Sequence, residues 1–450
     1  MNKKQIINDL FKLSFPTMMA TVLQSVYDIV DMIWVGQISS SAVAGVTLFS
    51  TVLWIFMFLN EVIGASSISM LSQNYGRKDY ERTNRVAEQT ITFKVFVAII
   101  AGFLLFISLN PLLNFYTKVP EIVQAGMDYG KLRIYFLPIF FASYSINTIF
   151  RCAGDSKTPF YIMLLATVIN IVLDPIFMFE EVPYVGIKGF GMGVKGAAVA
   201  TVIATCFSFI VGMIIIFKGK GFIKLSMKGL LKLDYEIDMK LLKIGFANGL
   251  TMLSRFIFSA LTIKFVTVYG DDAISAIGVG TKIYGFILFP VNGLLTGGSV
   301  IAGQQLGDNQ IEDARLTAKV TATFSAIFMV VFCAAIMIFS RELIGIFTKD
   351  EPVVELGSKF LRFSTLMMPL LAYGFGLSII FSGSGYNLPM IISGVVSQWV
   401  IQFPFLVLVV FILKLPIEFL FASYMAADLG DFIVRTTYYR RGEWMYTRVR

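Results

Sequence analysis

Histidine occurs nowhere in the 450 residues, so no imidazole can serve as base, metal ligand or pH switch. Cysteine is nearly as scarce. Cys152, Cys206 and Cys333 stand far apart with no CxxC spacing, which argues against a zinc site or a disulfide framework. Charge is thin as well: only 15% of residues are Asp, Glu, Lys or Arg, where a soluble globular chain carries about a quarter. No Lys-Ser/Thr follows the glycines of 186–193 at Walker spacing, and no strand pattern precedes them, so nucleotide-driven pumping is excluded. No acid pair sits at metal-ligand spacing with a third ligand, and no enzyme activity or resident cofactor is expected. The first twelve residues are short and mixed, and the apolar run behind them lacks a small-residue cleavage site, so no removable signal peptide is expected.

What fills the chain is apolar. Hydrophobic residues make up 56% and the mean hydropathy is +0.76. Runs such as 93–109, 199–217 and 322–339 are near the ~18 residues that cross a ~30 Å hydrocarbon core. Twelve spans are predicted, at 13–35, 46–71, 93–116, 131–151, 160–179, 188–217, 244–268, 277–302, 320–339, 360–381, 389–413 and 416–434. With a cytoplasmic amino terminus, the inside segments hold 24 Lys and Arg and the outside segments ten. The positive-inside rule then puts both termini in the cytoplasm of a multi-pass cell-membrane protein. The net charge of +8 reads as basic loops against lipid, with no nucleic-acid partner. The densest basic patch, 218–243, reads as a cytoplasmic linker lying at the membrane interface. It separates a first six-helix lobe, 1–217, from a second, 244–434, followed by a cytoplasmic tail, 435–450.

The two halves are copies. A shift of 231 residues brings Ala42 onto Ala273, Gln73 and Gly76 onto Gln304 and Gly307, and Ala87 onto Ala318. The same shift brings Gly126 onto Gly357, Pro138 onto Pro369 and Gly154 onto Gly385. An even number of spans per half makes this a parallel repeat, a chassis suited to alternating access. The predicted fold is an all-α integral membrane protein with twelve helices in two pseudo-symmetric lobes.

A charge at mid-membrane is unfavourable by about 3 kcal/mol on insertion scales, so buried acids point to function. Span 1 carries Asp28 and Asp31, span 2 carries Glu61, and span 5 carries Asp174. Asn170 and Asp174 are four apart and share one helical face, and Pro175 cannot donate to the carbonyl of Ile171, which should kink the helix there. Carboxylate, amide oxygen and loosened carbonyl make an oxygen-rich site for a proton or a hard cation. In span 6, Gly189, Gly193 and Ala197 recur every four residues, a pattern for close helix packing that would bring Thr201 toward span 5.

These residues, in this order, resemble the multidrug and toxic compound extrusion (MATE) transporters, of the prokaryotic DinF-like type, over essentially the whole chain. The resemblance rests on Val30-Asp-Met-Ile-Trp-Val-Gly36, the two Gln…Gly loop motifs, Arg151-Cys-Ala-Gly-Asp-Ser-Lys-Thr-Pro159, Asn170…Asp174-Pro175 and the glycines opening span 6. It implies export of small amphipathic, cationic compounds by antiport with transported H⁺ or Na⁺, by a monomer embedded in lipid. It also implies a cation-coupling set of Asp31, Asn170, Asp174 and Thr201, in which Asp31, Asn170 and Asp174 act as metal ligands only if Na⁺ is bound. Gln24, Tyr27, Asn147 and Met163 fall at its cavity-lining positions, and the intramembrane acids Asp28 and Glu61 are counted with that cavity. Relatives carry an acid in span 7 or span 10, where this chain has Arg255 and no acid. Each intramembrane acid of the first half maps to a neutral residue in the second half, so Arg255 is expected to lack an acidic partner and the second lobe to lack a cation site. The alternative function is a flippase for a lipid-linked precursor, favoured by the cations Arg255, Lys264 and Lys282 within spans.

Overall fold

Apolar runs in lipid have no water to satisfy their peptide groups, so each must close its hydrogen bonds within itself as a helix. The computed structural model describes residues 3–219, 223–447 and 449, among which there is no β-strand, only an isolated bridge between Glu181 and Lys188. The first half holds α1 (Lys3–Ile38), α2 (Ser40–Gly76), α3 (Tyr80–Tyr116), α4 (Pro120–Tyr135), α5 (Leu137–Cys152), α6 (Lys157–Met178) and α7 (Val194–Phe217). After a single turn, α8 (Met227–Leu230), come α9 (Tyr235–Val266), α10 (Asp271–Gly307), α11 (Ile311–Gly345), α12 (Glu351–Thr365) and α13 (Met368–Ser384). The chain continues through α14 (Leu388–Val395), α15 (Phe403–Val407) and α16 (Ile417–Arg441), with π-helical stretches at Val396–Gln402 and Leu408–Ile412.

Among the described residues nine helical stretches are long and apolar enough to cross a bilayer, and α12 with α13, bent by 45°, makes a tenth. The two remaining expected spans fall short for visible reasons. α4 and α5 are separated at Phe136, so neither has the length alone, and α16 carries Asp428, Asp431 and Arg435.

The duplication is written in the backbone. The starts of α2, α3, α4, α5 and α6 recur 231 residues later as the starts of α10, α11, α12, α13 and α14. Lys78 and Asn309, related by the same shift, both have positive φ, 63° and 58°. Gly154 and Gly385, just past the ends of α5 and α13, have φ of 83° and 82°, a left-handed turn that favours glycine and stops a helix. The repeated glycine thus marks a required backbone conformation.

By contact the chain forms two units, Met19–Phe246 in one and Ala247 onward with the first eighteen residues in the other. This grouping departs from the expected division at both ends of the first lobe. The start of α1 packs with the second half: the Phe11 and Phe324 rings meet edge-on at 5.1 Å, and the Ser14 hydroxyl donates to Leu294 O at 3.4 Å. The expected linker packs with the first half. Lys224 N donates to Asn84 Oδ1 (3.1 Å), Ser226 N and Oγ donate to Glu88 Oε1 (2.7 and 2.8 Å), and Thr92 Oγ1 donates to Leu230 O (2.9 Å). Gln89 donates to Lys232 O (2.7 Å) and accepts from Asp234 N (3.0 Å). These bonds strap the segment along the start of α3, because its peptide groups find side-chain partners there that an interfacial helix would not need. Residues 220–222 of that linker, and 448 and 450 of the expected tail, lie outside the described residues; the tail's first part, to Arg441, is helical.

The glycines before α7 do not form a helix face as predicted. They run back along the end of α6: Phe190 N, Met192 N, Gly193 N and Gly191 N donate to the carbonyls of Ile176, Phe177, Met178 and Phe179 at 2.8–3.0 Å. A helix end leaves its last carbonyls without partners, and this returning segment supplies them. A Cβ on Gly189 would stand 2.3 Å from Phe179 O, so only glycine allows the approach.

Candidate functional site

Asn170 and Asp174 lie one turn apart on α6, both fully buried, and the Asn170 amide Nδ2 donates to Asp174 Oδ1 at 3.0 Å. α6 is continuous through Pro175. α7 packs on it and carries buried Thr201, while α1 brings buried Asp31 within Coulombic range of Asp174. Four buried oxygens here have no hydrogen-bond partner: Asp31 Oδ1, Asn170 Oδ1, Asp174 Oδ2 and Thr201 Oγ1. Leaving a buried polar atom unmet is unfavourable by about 1–3 kcal/mol, more for a charged one. Those of Asp31, Asn170 and Asp174 are close enough to interact and make a set of oxygen acceptors whose natural complement is a proton or a small hard cation.

Two residues of α4 that the sequence reading missed complete the surroundings. The Tyr129 hydroxyl donates to Asp31 Oδ2 at 3.1 Å, and Arg133 Nη1 donates to that hydroxyl at 3.0 Å. The guanidinium also lies over the Tyr129 ring, 5.2 Å from its centroid, a contact that holds an arginine by its face. Tyr27 and Tyr129 both flank the Thr201 hydroxyl. The sequence carried part of the signal: Pro120 suits the start of a helix before the expected span, and on that helix Tyr129 and Arg133, four apart, share one face, though not a face whose direction the sequence gives.

The other cavity residues are placed differently. Asp28 is exposed and accepts from Gln24 Nε2 at 3.1 Å, one turn away on α1. Glu61 is exposed too, with Lys94 and Arg151 within Coulombic range; Lys94, counted from sequence as an inner loop charge, is fully buried in α3. Asn147 and Met163 are half-buried, and among the described residues neither makes a polar contact with Asp31 or Asp174. A small cleft with room for about one water is lined by Arg133, Phe136, Leu137, Phe140, Thr201 and Thr205 among others. The motif 151–159 is a helix cap: Asp155 accepts from Thr158 N (3.0 Å) and Thr158 Oγ1 (2.6 Å) at the start of α6. Among the described residues no three Cys, Asp or Glu side chains are grouped to hold a metal ion.

In the second unit the expectation of an unpartnered Arg255 is overturned. Arg255 Nη2 donates to Asp431 Oδ2 at 3.2 Å, an ion pair supplied by α16. The shift of 231 compared first-half acids with their second-half counterparts and so passed over acids that only the second half has. Asp428 and Asp431, both buried, lie on a helix with no counterpart acid in α7.

Repeated helical halves of membrane-spanning length, one of them holding a buried cluster of unmet oxygens, define a membrane transporter built by duplication. The MatE family model matches residues 16–176 and again 248–408, and the chain belongs to that family of multidrug efflux transporters. It is 27% identical to the "Probable multidrug resistance protein YoeA" of Bacillus subtilis over 94% of this chain and 91% of that one. With the "Multidrug export protein MepA" of Staphylococcus aureus it shares 25% identity, over 88% of this chain and 86% of that one. A MOP superfamily transporter from Pyrococcus furiosus has the same fold, with a TM-score of 0.88 at 21% identity, covering 96% and 95% of the two chains. The fold is therefore the all-α, twelve-helix, two-lobed one.

Proposed function

We propose that this chain is a secondary active antiporter that exports amphipathic organic cations in exchange for H⁺ or Na⁺ by alternating access. The observation that carries the reading is the set of unmet oxygens on Asp31, Asn170, Asp174 and Thr201. Two carboxylates, an amide and a hydroxyl can take up one small cation and release it when the walls part. Gln24, Tyr27, Asp28, Glu61, Asn147 and Met163 are assigned to cargo, with the exposed acids Asp28 and Glu61 drawing a cationic head group. The names of the relatives, as multidrug resistance and export proteins, support a cargo of small organic compounds. The protein works as a monomer in the cell membrane with both termini in the cytoplasm. The flippase alternative leaned on free cations inside the bundle, and the pairing of Arg255 with Asp431 weakens it.

The test is reconstitution into liposomes with a fluorescent cation as cargo and pH and sodium gradients imposed separately. One gradient should drive cargo uphill. Failure of both, in protein shown to be folded, would overturn the antiport reading.

A further inference from the structure

Asp431 holds two guanidiniums, and the two are held very differently. Arg435, one turn along α16, bonds both Asp431 oxygens, donates to Ser378 Oγ at 2.9 Å and lies over the Phe375 ring at 4.6 Å. Its side chain is 5% exposed. Arg255 reaches Asp431 through one nitrogen at 3.2 Å, with a side chain 42% exposed. A single buried, forked guanidinium already neutralises Asp431, so Arg255 is a surplus, loosely held cation.

One turn before Asp431 on the same helix, Asp428 has no cation of its own. It is 9% exposed and its Oδ2 has no hydrogen-bond partner. The groups that face it are Asp431 and Tyr424 from α16, Arg255 from α9, Tyr284 from α10 and Cys333 from α11. α13, α14 and the π-helical stretch after it contain no charged residue. Of the α12 cations, Lys359 bonds Glu418 of α16 at 3.4 Å and Arg362 donates to Ser340 Oγ of α11 at 2.8 Å. A buried carboxylate with one oxygen unmet must be neutralised by a proton or by a neighbouring cation. Among the described residues the only cation facing it is the one Asp431 can spare.

We propose that Asp428 is a proton-exchange site of the second lobe, in which Arg255 moves from Asp431 to Asp428 when the proton leaves. A proton and a Na⁺ would each add one positive charge to the two arginines and two aspartates, so the ligand class follows from coordination. Asp428 Oδ2 is the one carboxylate oxygen left unmet there among the described residues, enough to carry a proton, whereas a hard cation gathers several oxygens at once. The site is therefore built to exchange H⁺ rather than Na⁺. It stands whether or not the first-lobe oxygens exchange an ion.

Infrared difference spectra of the full-length protein in nanodiscs, between acid and alkaline pH, test this through the carboxylic-acid C=O band. The band should be lost at alkaline pH in the wild type and in Asp31→Asn/Asp174→Asn, which separates it from the first-lobe site. It should be missing in Asp428→Asn and insensitive to sodium. In Arg255→Gln, at a half-exposed position, the band should persist at alkaline pH because no cation replaces the proton. An unchanged spectrum in Asp428→Asn, loss of the band on adding sodium, or wild-type titration in Arg255→Gln would each overturn the proposal.

Discussion

Asp31 and Arg133 face each other across a single phenol: Arg133 donates to the Tyr129 oxygen at 3.0 Å, and Tyr129 donates to Asp31 at 3.1 Å. The arginine thereby stabilises the ionised carboxylate without closing on it, which leaves Asp31 Oδ1 open to another partner. Tyr129→Phe removes the donor that competes with a bound ion. A hydrogen bond to a charged group contributes about 1.5–3 kcal/mol, so the driving-ion concentration for half-maximal transport should fall by roughly tenfold or more. Transport assays in proteoliposomes would show it. A rise instead would mean that Arg133 closes on Asp31 directly once the ring oxygen is gone.

Asp174→Asn keeps volume and the Asn170 contact but removes the charge. Cargo should then move only down its own gradient, with uphill transport lost. Asp31→Asn should do the same if the two acids share one ion, and the double variant should be no worse than either single one. Uphill transport at wild-type rate in Asp174→Asn would remove that residue from the coupling set.

Much of this architecture was legible in the sequence because it depends on features that a linear reading preserves. The 231-residue shift survives in glycines such as Gly154 and Gly385, which the backbone requires at one conformation. Asn170 and Asp174 share a face because four residues are one helical turn. What the sequence hid was which neighbour each helix face meets. Nothing in α4 tells which way Tyr129 and Arg133 turn, and nothing in α16 tells that Asp431 meets Arg255 of α9. The glycines of 186–193 misled for a related reason, since a small residue permits close approach in a helix and in a loop alike, and here the partner is a row of carbonyls.

Glycine has two separable roles that stability measurements can distinguish. A Cβ on Gly154 would touch nothing within 4 Å, but φ is +83°, so Gly154→Ala should lower stability by only about 1 kcal/mol through backbone strain. A Cβ on Gly45 would stand 2.6 Å from Ile122 O and 2.7 Å from Gly126 N, forcing α2 away from α4. Overpacking of this kind is destabilising by about 1–3 kcal/mol, and backbone atoms cannot step aside. Thermal unfolding in detergent should therefore rank Gly45→Ala below Gly154→Ala; the reverse order would deny the close α2–α4 packing.

The strap along α3 should be visible to a protease. Buried Glu88 accepts both the backbone and side-chain donors of Ser226, and cleavage of the segment requires it to open locally. Glu88→Ala removes both bonds, so trypsin should cut at Lys224 and Lys228 several-fold faster than in the wild type, with Glu88→Gln intermediate. Equal rates in all three proteins would mean that the strap is held elsewhere.

Orientation rests on the excess of Lys and Arg in alternate connections, and single cysteines can test it. Cys152 and Cys333 are buried and Cys206 is half-buried, so a background in which each is replaced by Ser or Ala should be quiet toward a membrane-impermeant maleimide. Ser40, at the start of α2, and Asp272, at the start of α10, are exposed and related by nearly the same interval as the two halves. If the repeat is parallel, both must lie on one side of the membrane. Lys224 is exposed in the basic strap, which the charge bias assigns to the other side. Ser40→Cys and Asp272→Cys should label in intact cells, and Lys224→Cys only after permeabilisation. Labelling of Ser40→Cys without Asp272→Cys would contradict a parallel repeat, while labelling of Lys224→Cys in sealed cells would invert the orientation and with it the direction in which the coupling ion must flow.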